Sequence, residues 1–273
     1  MDDLLISTDR RGVVTLTLNR PERHNVFDDA LVAEITEALQ RIEMEETARI
    51  LVVRGAGRSF SAGGDIAWLR RMAGASFDEN LRDAQALAGM MRRLDAFPKP
   101  TVAFVHGVAY GGGVGLAACC DIAIATARAS FCLSEARLGI VPAAIGPYVI
   151  RAIGARQARR LMLTAEKFSA IEAREIGLVH ETAPDDEASA VLEKIIDALL
   201  RCAPGAQKAA KQFAALCAEY PMGEALAIES AALLARLRSA EEGREGLSAF
   251  LEKRAPNWVP AGSDGDVPQA PDR

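Results

Sequence analysis

Apolar and polar positions follow two different periods along the first half of the chain. Residues 13–19 alternate Val or Leu with Thr, which is the two-residue period of a β-strand. Residues 50–54 and 101–105 are short and almost wholly apolar, as is typical of strands buried on both faces. Apolar residues at helical spacing and capping residues predict four helices: from Asp28 or Asp29 to about Met44, from Asp65 to near Gly74, from about Phe77 to Asp95, and a short one ending at Cys120.

This alternation continues with apolar strands at residues 122–125 and 130–133, so the pattern predicts βαβ units and a largely parallel sheet covered by helices. After Pro142 the pattern is helical, in segments 144–153, 155–163, 169–176, 185–201, 204–219 and 222–239. We therefore expect an α/β protein with a core at residues 1–200 and a helical region at 201–259. Residues 260–273 are polar and rich in Pro and Gly, which predicts a disordered tail.

Composition and charge narrow the class of protein. The chain has 273 residues, of which 50% are hydrophobic and 25% charged, so it can form a large core and is not a disordered, collagen-like or coiled-coil protein. A formal net charge of −5 argues against a nucleic-acid partner. No apolar run approaches the ~18 residues of a membrane span. Five cysteines and an acidic start without a secretory pattern predict free thiols and a cytoplasmic protein.

A run of glycines at residues 111–113, preceded by Tyr110, is the strongest local feature. It is either a tight strand-to-helix turn or a place where the backbone approaches a ligand and directs helix N–H groups towards it. The spacing Gly113-x-Gly115-x-x-Ala118 also matches a dinucleotide fingerprint. The helix that follows is too short for that interpretation, so we favour a backbone donor site.

A second glycine pair, Gly63 and Gly64, lies in the loop of residues 59–65 and precedes Asp65, a candidate helix cap. The loop could supply a second set of N–H donors. It also approaches the nucleophile elbow of serine hydrolases around Ser61, although Ser59 replaces the first glycine. With three histidines in the chain, a Ser–His hydrolase is weakly supported. No phosphate-loop or H-E-x-x-H motif occurs, and we predict no metal site.

A third feature is Glu135, which follows a predicted apolar strand. A carboxyl group in apolar surroundings has a raised pKa and suits proton transfer near neutral pH. Alternatively, Glu135 is an exposed residue at the end of the strand that pairs with Arg137. The sequence leaves these two interpretations equally open.

In their order and spacing, these features resemble the crotonase superfamily of enoyl-CoA hydratases and isomerases. The similarity extends over residues 13–258. It is carried by LNRPERHN at residues 18–25, FSAGGDI at 60–66, HGVAYGGG at 106–113 and CDI at 120–122. It implies a crotonase-like α/β fold, with a repeated ββα spiral core and a C-terminal helical trimerisation region.

The resemblance also implies the chemistry and the partners. The N–H groups of Gly64 and Gly112 would form an oxyanion hole for the thioester carbonyl of an acyl-CoA, with Glu135 as the acid or base. No separate cofactor is expected, because coenzyme A is part of the substrate. The assembly would be a homotrimer or a homohexamer. Further residues expected to contact CoA are Ala62, Asp65 and Ile66, with Arg23 and Lys253 as cations and Phe250 at the adenine.

Two departures from the family pattern affect the function. The two-glutamate hydratases place one Glu where this chain has Gly115, and Ala143 replaces a usual glycine. LSEARLGIVP at residues 133–142 resembles a bacterial subgroup assigned to hydration of methylglutaconyl-CoA or related acyl-CoAs. We therefore expect a 2-enoyl-CoA hydratase. The alternatives are a Δ3-Δ2 isomerase, a non-catalytic acyl-CoA-binding or RNA-associated protein, and a thioester hydrolase. The acyl pocket is expected to include Trp68, Leu69, Met72 and Tyr110.

Overall fold

The computed structural model of the protein describes residues 2–260. They form two compact units, one made of the chain up to Phe97 with Thr101–Lys194, the other of Pro98–Pro100 with the chain from Ile195 onward. Apart from Pro260, the predicted disordered tail lies outside the described residues. The predicted division into residues 1–200 and 201–259 stays a prediction.

Nine strands within the described residues belong to the first unit and form two sheets. The larger sheet has the order β1-β2-β3-β4-β6-β9, in which β1 and β2 are antiparallel and all other neighbours are parallel. In the smaller sheet, β5 pairs with β7 in parallel and β7 with β8 in antiparallel. The strands are β1 Leu4–Thr8, β2 Val13–Leu18, β3 Ile50–Gly55, β4 Thr101–Val105, β5 Val108–Tyr110, β6 Ile122–Thr126, β7 Ser130–Cys132, β8 Lys167–Ser169 and β9 Glu181–Ala183.

Helices alternate with these strands and then follow one another. Six of the described helices fall in the first unit, α7 begins there and continues into the second, and α8, α9 and α10 belong to the second. They are α1 Asp29–Met44, α2 Ile66–Ala73, α3 Phe77–Asp95, α4 Gly112–Cys119, α5 Gly146–Thr164, α6 Ala170–Glu175, α7 Ala188–Leu200, α8 Pro204–Glu219, α9 Glu224–Ser239 and α10 Glu241–Leu251.

The core of the first unit lies between the larger sheet and the helices that cover it. Every residue of β4 is buried, and α1 buries the face that carries Leu31, Ile35, Leu39 and Ile42. This face has the helical spacing that the sequence shows, since residues three or four apart lie on the same side of a helix. The predicted α/β fold with a largely parallel sheet is therefore confirmed.

The structure also shows where local pattern was insufficient. The predicted boundary between helices 144–153 and 155–163 is confirmed as a break inside α5, where Gly154 has φ 76° and ψ 153°. Strand β1 was not predicted, because it is a short, partly exposed edge strand whose register is set by pairing with β2. Helix α10 was not predicted either, because Gly243 and Gly246 weaken its helical pattern.

Asn25 joins the N-terminal strands to the loop before α2. It follows a single 3-10 turn, Pro21–Arg23, and has φ 54°, a left-handed conformation that asparagine tolerates better than most residues. Its side chain is fully buried. The Oδ1 atom accepts from the N–H of Arg20 at 2.8 Å, and Nδ2 donates to the carbonyls of Ala56 and Ser59 at 2.9 and 2.7 Å. This one amide therefore fixes the start of the glycine loop.

Replacing Asn25 by Ala should destabilise the protein strongly. Three backbone groups, in two buried hydrogen bonds and one partly buried one, would lose their partners, and alanine would occupy a left-handed conformation, at a cost of about 3 kcal/mol or more. The free energy of unfolding in urea measures this change. Asn19→Ala is the control, since the Asn19 side chain makes a single exposed hydrogen bond to the Asp2 carbonyl. Equal losses in the two variants would contradict the role given to Asn25.

Candidate active site

A cavity of about 370 Å³ opens within the first unit, where the two glycine turns meet the segment after β7. Its wall combines loop residues, the start of α4, one face of α2 and the segment that leads into α5. The lining residues are Phe27, Ala62, Gly63, Gly64, Ile66, Trp68, Leu69, Leu87, Gly111, Gly112, Ser134, Glu135, Leu138, Ile140, Val141, Pro142, Ala143, Ala144 and Ile145.

The loop at residues 59–65 is held against β5 by backbone hydrogen bonds on both sides. Ser61 donates its N–H to the Val108 carbonyl at 3.0 Å, and its carbonyl accepts from the N–H of Tyr110 at 2.9 Å. Phe27 closes the other side, where its N–H donates to the Gly63 carbonyl at 2.7 Å. These bonds place the Gly63-Gly64 turn beside the glycine run that follows Tyr110.

Each glycine of that run has its own steric reason. A Cβ on Gly111, where φ is +49°, would lie 2.9 Å from Oε1 of Glu135. A Cβ on Gly113 would lie 2.6 Å from the Ser61 carbonyl oxygen, and one on Gly112 would lie 3.0 Å from the Phe27 ring. Side chains here would push apart the two loops or displace the Glu135 carboxylate. The glycines are therefore needed because the backbone here packs closely against the facing loop and the Glu135 carboxylate, which a simple turn would not require.

Gly112 is the first residue of α4, so its N–H has no acceptor within the helix and points along the positive end of the helix dipole. Gly64 lies on the facing loop, and both residues are half-buried and line the cavity. Two backbone N–H groups on opposing loops suit an oxygen on which negative charge develops.

Glu135 begins a 3-10 turn, Glu135–Leu138, and lines the same cavity. Its Oε2 is shielded from solvent and has no hydrogen-bond partner among the described residues. Burial raises the pKa of the Glu135 carboxyl above its ordinary value of 4.5, and a hydrogen bond from its own backbone N–H opposes that shift. Arg137 is exposed and forms no ion pair with it in the described part of the chain. The structure therefore favours the buried acid–base group over the surface pair.

Ile145 occupies the space that a side chain at position 115 would need. A Cβ on Gly115 would overlap Cγ2 of Ile145 and lie 2.8 Å from its Cβ. Ile145 is 2% exposed and lines the cavity just before α5. Ile145 therefore fills the space that the first glutamate of the two-glutamate hydratases would enter from position 115. Glu135 is the single ionisable side chain among the described residues that line the cavity.

Asp65 and Trp68 give the wall on the α2 side its rigidity. The Oδ1 of Asp65 caps α2 by accepting from the N–H groups of Ala67 and Trp68 at 2.8 and 3.0 Å, and its Oδ2 pairs with Arg23. The indole Nε1 of Trp68 donates to Oδ1 of Asp83 at 2.9 Å, which fixes the ring against the cavity. The pKa of Asp65 is lowered, because these hydrogen bonds and the nearby Arg23 charge outweigh its burial.

Most of the predicted residues meet in one place. Ala62, Gly64, Ile66, Gly112 and Glu135 all line the cavity, with Trp68 and Leu69 as expected. Met72 and Tyr110, which were expected in the acyl pocket, are not among the lining residues. Met72 packs against the core, and the Tyr110 ring lies 5.4 Å from the Lys167 ammonium. Phe250 and Lys253 belong to the second unit, and their contact with CoA stays a prediction. Sequence reasoning missed Ile145, although it directly follows the quoted LSEARLGIVP segment and two alanines.

The Ser–His alternative is not supported by the geometry. The imidazole Nδ1 of His24 lies 2.9 Å from Oγ of Ser59, so a Ser–His pair exists. Neither residue lines the cavity, and Ser59 is buried. Ser61, the residue at the elbow position, is fully buried and its Oγ accepts from the Gly63 N–H at 3.3 Å. Within residues 2–260, no group of three or more His, Cys, Asp or Glu side chains is placed to hold a metal ion.

The glycine-paired loops, the buried carboxyl and the alternating sheet and helix elements define the crotonase fold. The family model for enoyl-CoA hydratase/isomerase matches residues 8–260. The chain therefore belongs to the enoyl-CoA hydratase/isomerase family and is an enzyme of that family. None of the helices in the described chain combines the length and hydropathy that crossing a bilayer requires.

Individual relatives agree with this assignment. The 2,3-dehydroadipyl-CoA hydratase of Escherichia coli is 35% identical over 259 residues, which cover 94% of this chain and 99% of that protein. The 1,2-epoxyphenylacetyl-CoA isomerase of the same organism is 33% identical over 261 residues, 95% and 99% of the two chains. The crystal structure of an enoyl-CoA hydratase from Shewanella pealeana is 42% identical with a TM-score of 0.91, and covers 94% of this chain and 96% of that one.

The overlap between positions 115 and 145 can be tested by a double-mutant cycle. Gly115→Ala should cost about 1–3 kcal/mol, because its methyl group must displace Ile145. Ile145→Ala alone should cost about 2–5 kcal/mol through the cavity that it leaves. The Gly115→Ala change should cost clearly less when Ile145→Ala is already present, because the overlap with Cγ2 is then gone and only the 2.8 Å contact with the Cβ of residue 145 has to relax. Urea unfolding of the four proteins measures the coupling, and additive losses would show that the two positions do not compete for space.

The raised pKa of Glu135 predicts how stability changes with pH. Its carboxyl ionises less readily in the folded protein than in the unfolded chain, so ionisation opposes folding. Glu135→Gln should therefore gain stability relative to the native protein as pH rises from 4.5 through the raised pKa, and keep that gain above it. Urea unfolding at a series of pH values measures the difference. A gain that shrinks as pH rises would contradict the buried, unpaired state of this carboxyl.

Proposed function

We propose that this enzyme adds water to the double bond of a 2-enoyl-CoA, with Glu135 as its one acid–base side chain. The observation that carries the proposal is the meeting of three groups at one cavity: the buried carboxyl of Glu135 and the backbone N–H groups of Gly64 and Gly112. The carboxyl can move a proton, and the N–H groups can hold the charge that this movement creates.

In the proposed reaction, the N–H groups of Gly64 and Gly112 donate to the thioester carbonyl oxygen and draw electrons from the conjugated double bond. The Glu135 carboxylate takes a proton from water, and the oxygen of that water bonds to C3 as the double bond shifts towards the carbonyl. The resulting enolate is held by the two N–H groups. Glu135 then returns its proton to C2, so one carboxyl acts as base and acid on the same face.

The aliphatic side chain of Ile145 supports a second candidate function, an isomerase that converts a 3-enoyl-CoA into a 2-enoyl-CoA. A hydratase gains from a second polar group that holds water, whereas the wall at Ile145 is aliphatic. An isomerase needs a single base, which removes a proton from C2 of a 3-enoyl-CoA and returns it to C4. The names of the two E. coli relatives fit hydration better, since one is a hydratase and the other is an isomerase named for an epoxide rather than for a double bond.

Two further functions and the mode of CoA binding are also proposals. A non-catalytic acyl-CoA-binding or RNA-associated protein would account for the missing glutamate, and a thioester hydrolase would use the same carboxyl. We propose that Arg23, Lys253 and Phe250 contact the CoA moiety, in a homotrimer or homohexamer. Light scattering coupled to size-exclusion chromatography would show the assembly.

Two measurements separate these functions: the products that the native protein forms from each substrate, and the turnover of the Glu135→Gln variant. The native protein, given 2-enoyl-CoA and 3-enoyl-CoA in separate reactions, should add 18 mass units to the 2-enoyl chain. The variant should lose roughly 10²-fold or more in kcat, because glutamine cannot accept the proton. Mass spectrometry detects hydration and thioester hydrolysis, and chromatography detects the mass-neutral shift of the double bond.

Glu37→Gln is the matched control, since Glu37 is exposed on α1. Its turnover should equal that of the native protein. Full turnover by Glu135→Gln would contradict the catalytic assignment. Conversion of the 3-enoyl substrate without any hydration would establish the isomerase instead, and binding of both substrates without turnover would establish the non-catalytic protein.

A further inference from the structure

The cavity that holds Glu135 has an almost wholly apolar wall. Apart from the backbone of the glycine turns and the side chains of Ser134 and Glu135, the described lining residues are aliphatic, aromatic or prolyl. Three of the lining residues near the opening are exposed hydrophobic side chains: Ile66 at 75%, Leu138 at 60% and Val141 at 72%. Exposed apolar residues around a cavity are typical of a surface that binds a ligand or another protein.

The cations that lie near this wall in the sequence do not contribute to it. Arg23 pairs with the Asp65 carboxylate, and Arg71 pairs with Asp29. Arg70 and Arg137 are exposed, and neither is among the described residues that line the cavity. A negative group carried into the cavity by a ligand would therefore meet no counter-charge on the described wall.

Such a group would also meet Glu135. A carboxylate that leaves water without an ion pair or hydrogen bonds loses several kcal/mol of hydration free energy. Two carboxylates in a small apolar cavity repel each other, because the low polarity of the surroundings strengthens the interaction. A neutral hydrocarbon chain is instead stabilised when it buries its apolar surface against this wall.

We infer that the cavity selects 2-enoyl-CoA substrates whose acyl chain is neutral and apolar beyond the double bond, and rejects those that end in a carboxylate. This inference rests on the proposed function and names its substrate class. It replaces the methylglutaconyl-like chain expected from the family resemblance, because that chain carries a free carboxylate. It also separates this enzyme from the E. coli relative named for 2,3-dehydroadipyl-CoA, whose acyl chain ends in a carboxylate.

Three six-carbon substrates test the selection on the native enzyme. These are 2-hexenoyl-CoA, 2,3-dehydroadipyl-CoA, which differs from it by a carboxylate in place of the terminal methyl group, and the ω-methyl ester of the latter. The value of kcat/KM should be roughly 100-fold lower for the diacid than for the hexenoyl compound, and the ester should recover most of the loss. Equal values for hexenoyl and diacid, or equal failure of diacid and ester, would overturn the inference.

A binding measurement separates this inference from the proposed function. Hexanoyl-CoA and adipoyl-CoA lack the double bond and cannot be hydrated, so calorimetry measures the preference of the cavity alone. Hexanoyl-CoA should bind at least tenfold more tightly than adipoyl-CoA even if no substrate is turned over. Tight hexanoyl-CoA binding without hydration would refute the proposed function and leave the selection standing, whereas equal affinity for the two would refute the selection.

A paired substitution at Val141 tests whether charge is the cause. Val141 lines the cavity near its opening and is 72% exposed, so a longer side chain can be accommodated. Val141→Lys supplies the missing cation and should narrow the preference for 2-hexenoyl-CoA over the diacid by about threefold to tenfold. Val141→Met, of similar length without the charge, should leave the preference unchanged. Equal narrowing in both variants would show that size sets the preference and would overturn the electrostatic basis.

Discussion

The contact between two backbone segments, the loop at residues 59–65 and the chain at 108–113, is the constraint on which the site depends. Ser61 bonds to the first and last residues of β5, and a Cβ on Gly113 would lie 2.6 Å from the Ser61 carbonyl oxygen. Because glycine has no side chain, only glycine at position 113 lets the two backbone segments approach each other so closely. The sheets, α1 and the buried amide of Asn25 hold the segments at this separation.

Much of this arrangement was predictable from the sequence, because it is encoded locally. Glycine runs, the capping Asp65 and the apolar strands are features of neighbouring residues. The resemblance to the crotonase superfamily that these features carry implied that Gly64, Gly112 and Glu135 belong to one site. The state of Glu135 was not predictable. Its burial depends on a cavity whose lining comes from separate parts of the chain, and the alternative pairing with Arg137 fits the same local sequence.

The wall of the cavity was also beyond local pattern. Ile145 is separated from Gly115 by 30 residues, and nothing in either segment shows that one side chain fills the space of the other. Met72 has the helical position of a lining residue but packs into the core, whereas Phe27 comes from a segment that precedes α1 and reaches the cavity by pairing with the glycine loop. Such contacts are set by tertiary packing and have no sequence period.

The absence of an acidic side chain at position 115, whose space Ile145 fills, links the chemistry of the site to its selectivity. A second carboxyl at position 115 would have shared the cavity with Glu135 and made its wall polar. The apolar lining of the cavity, to which Ile145 belongs, leaves little water around Glu135, and this burial raises the pKa of its carboxyl above the ordinary value. The same loss of water leaves a carboxylate on the substrate unsolvated. Proton transfer by one group and preference for a neutral chain are thus two consequences of a single desolvated wall.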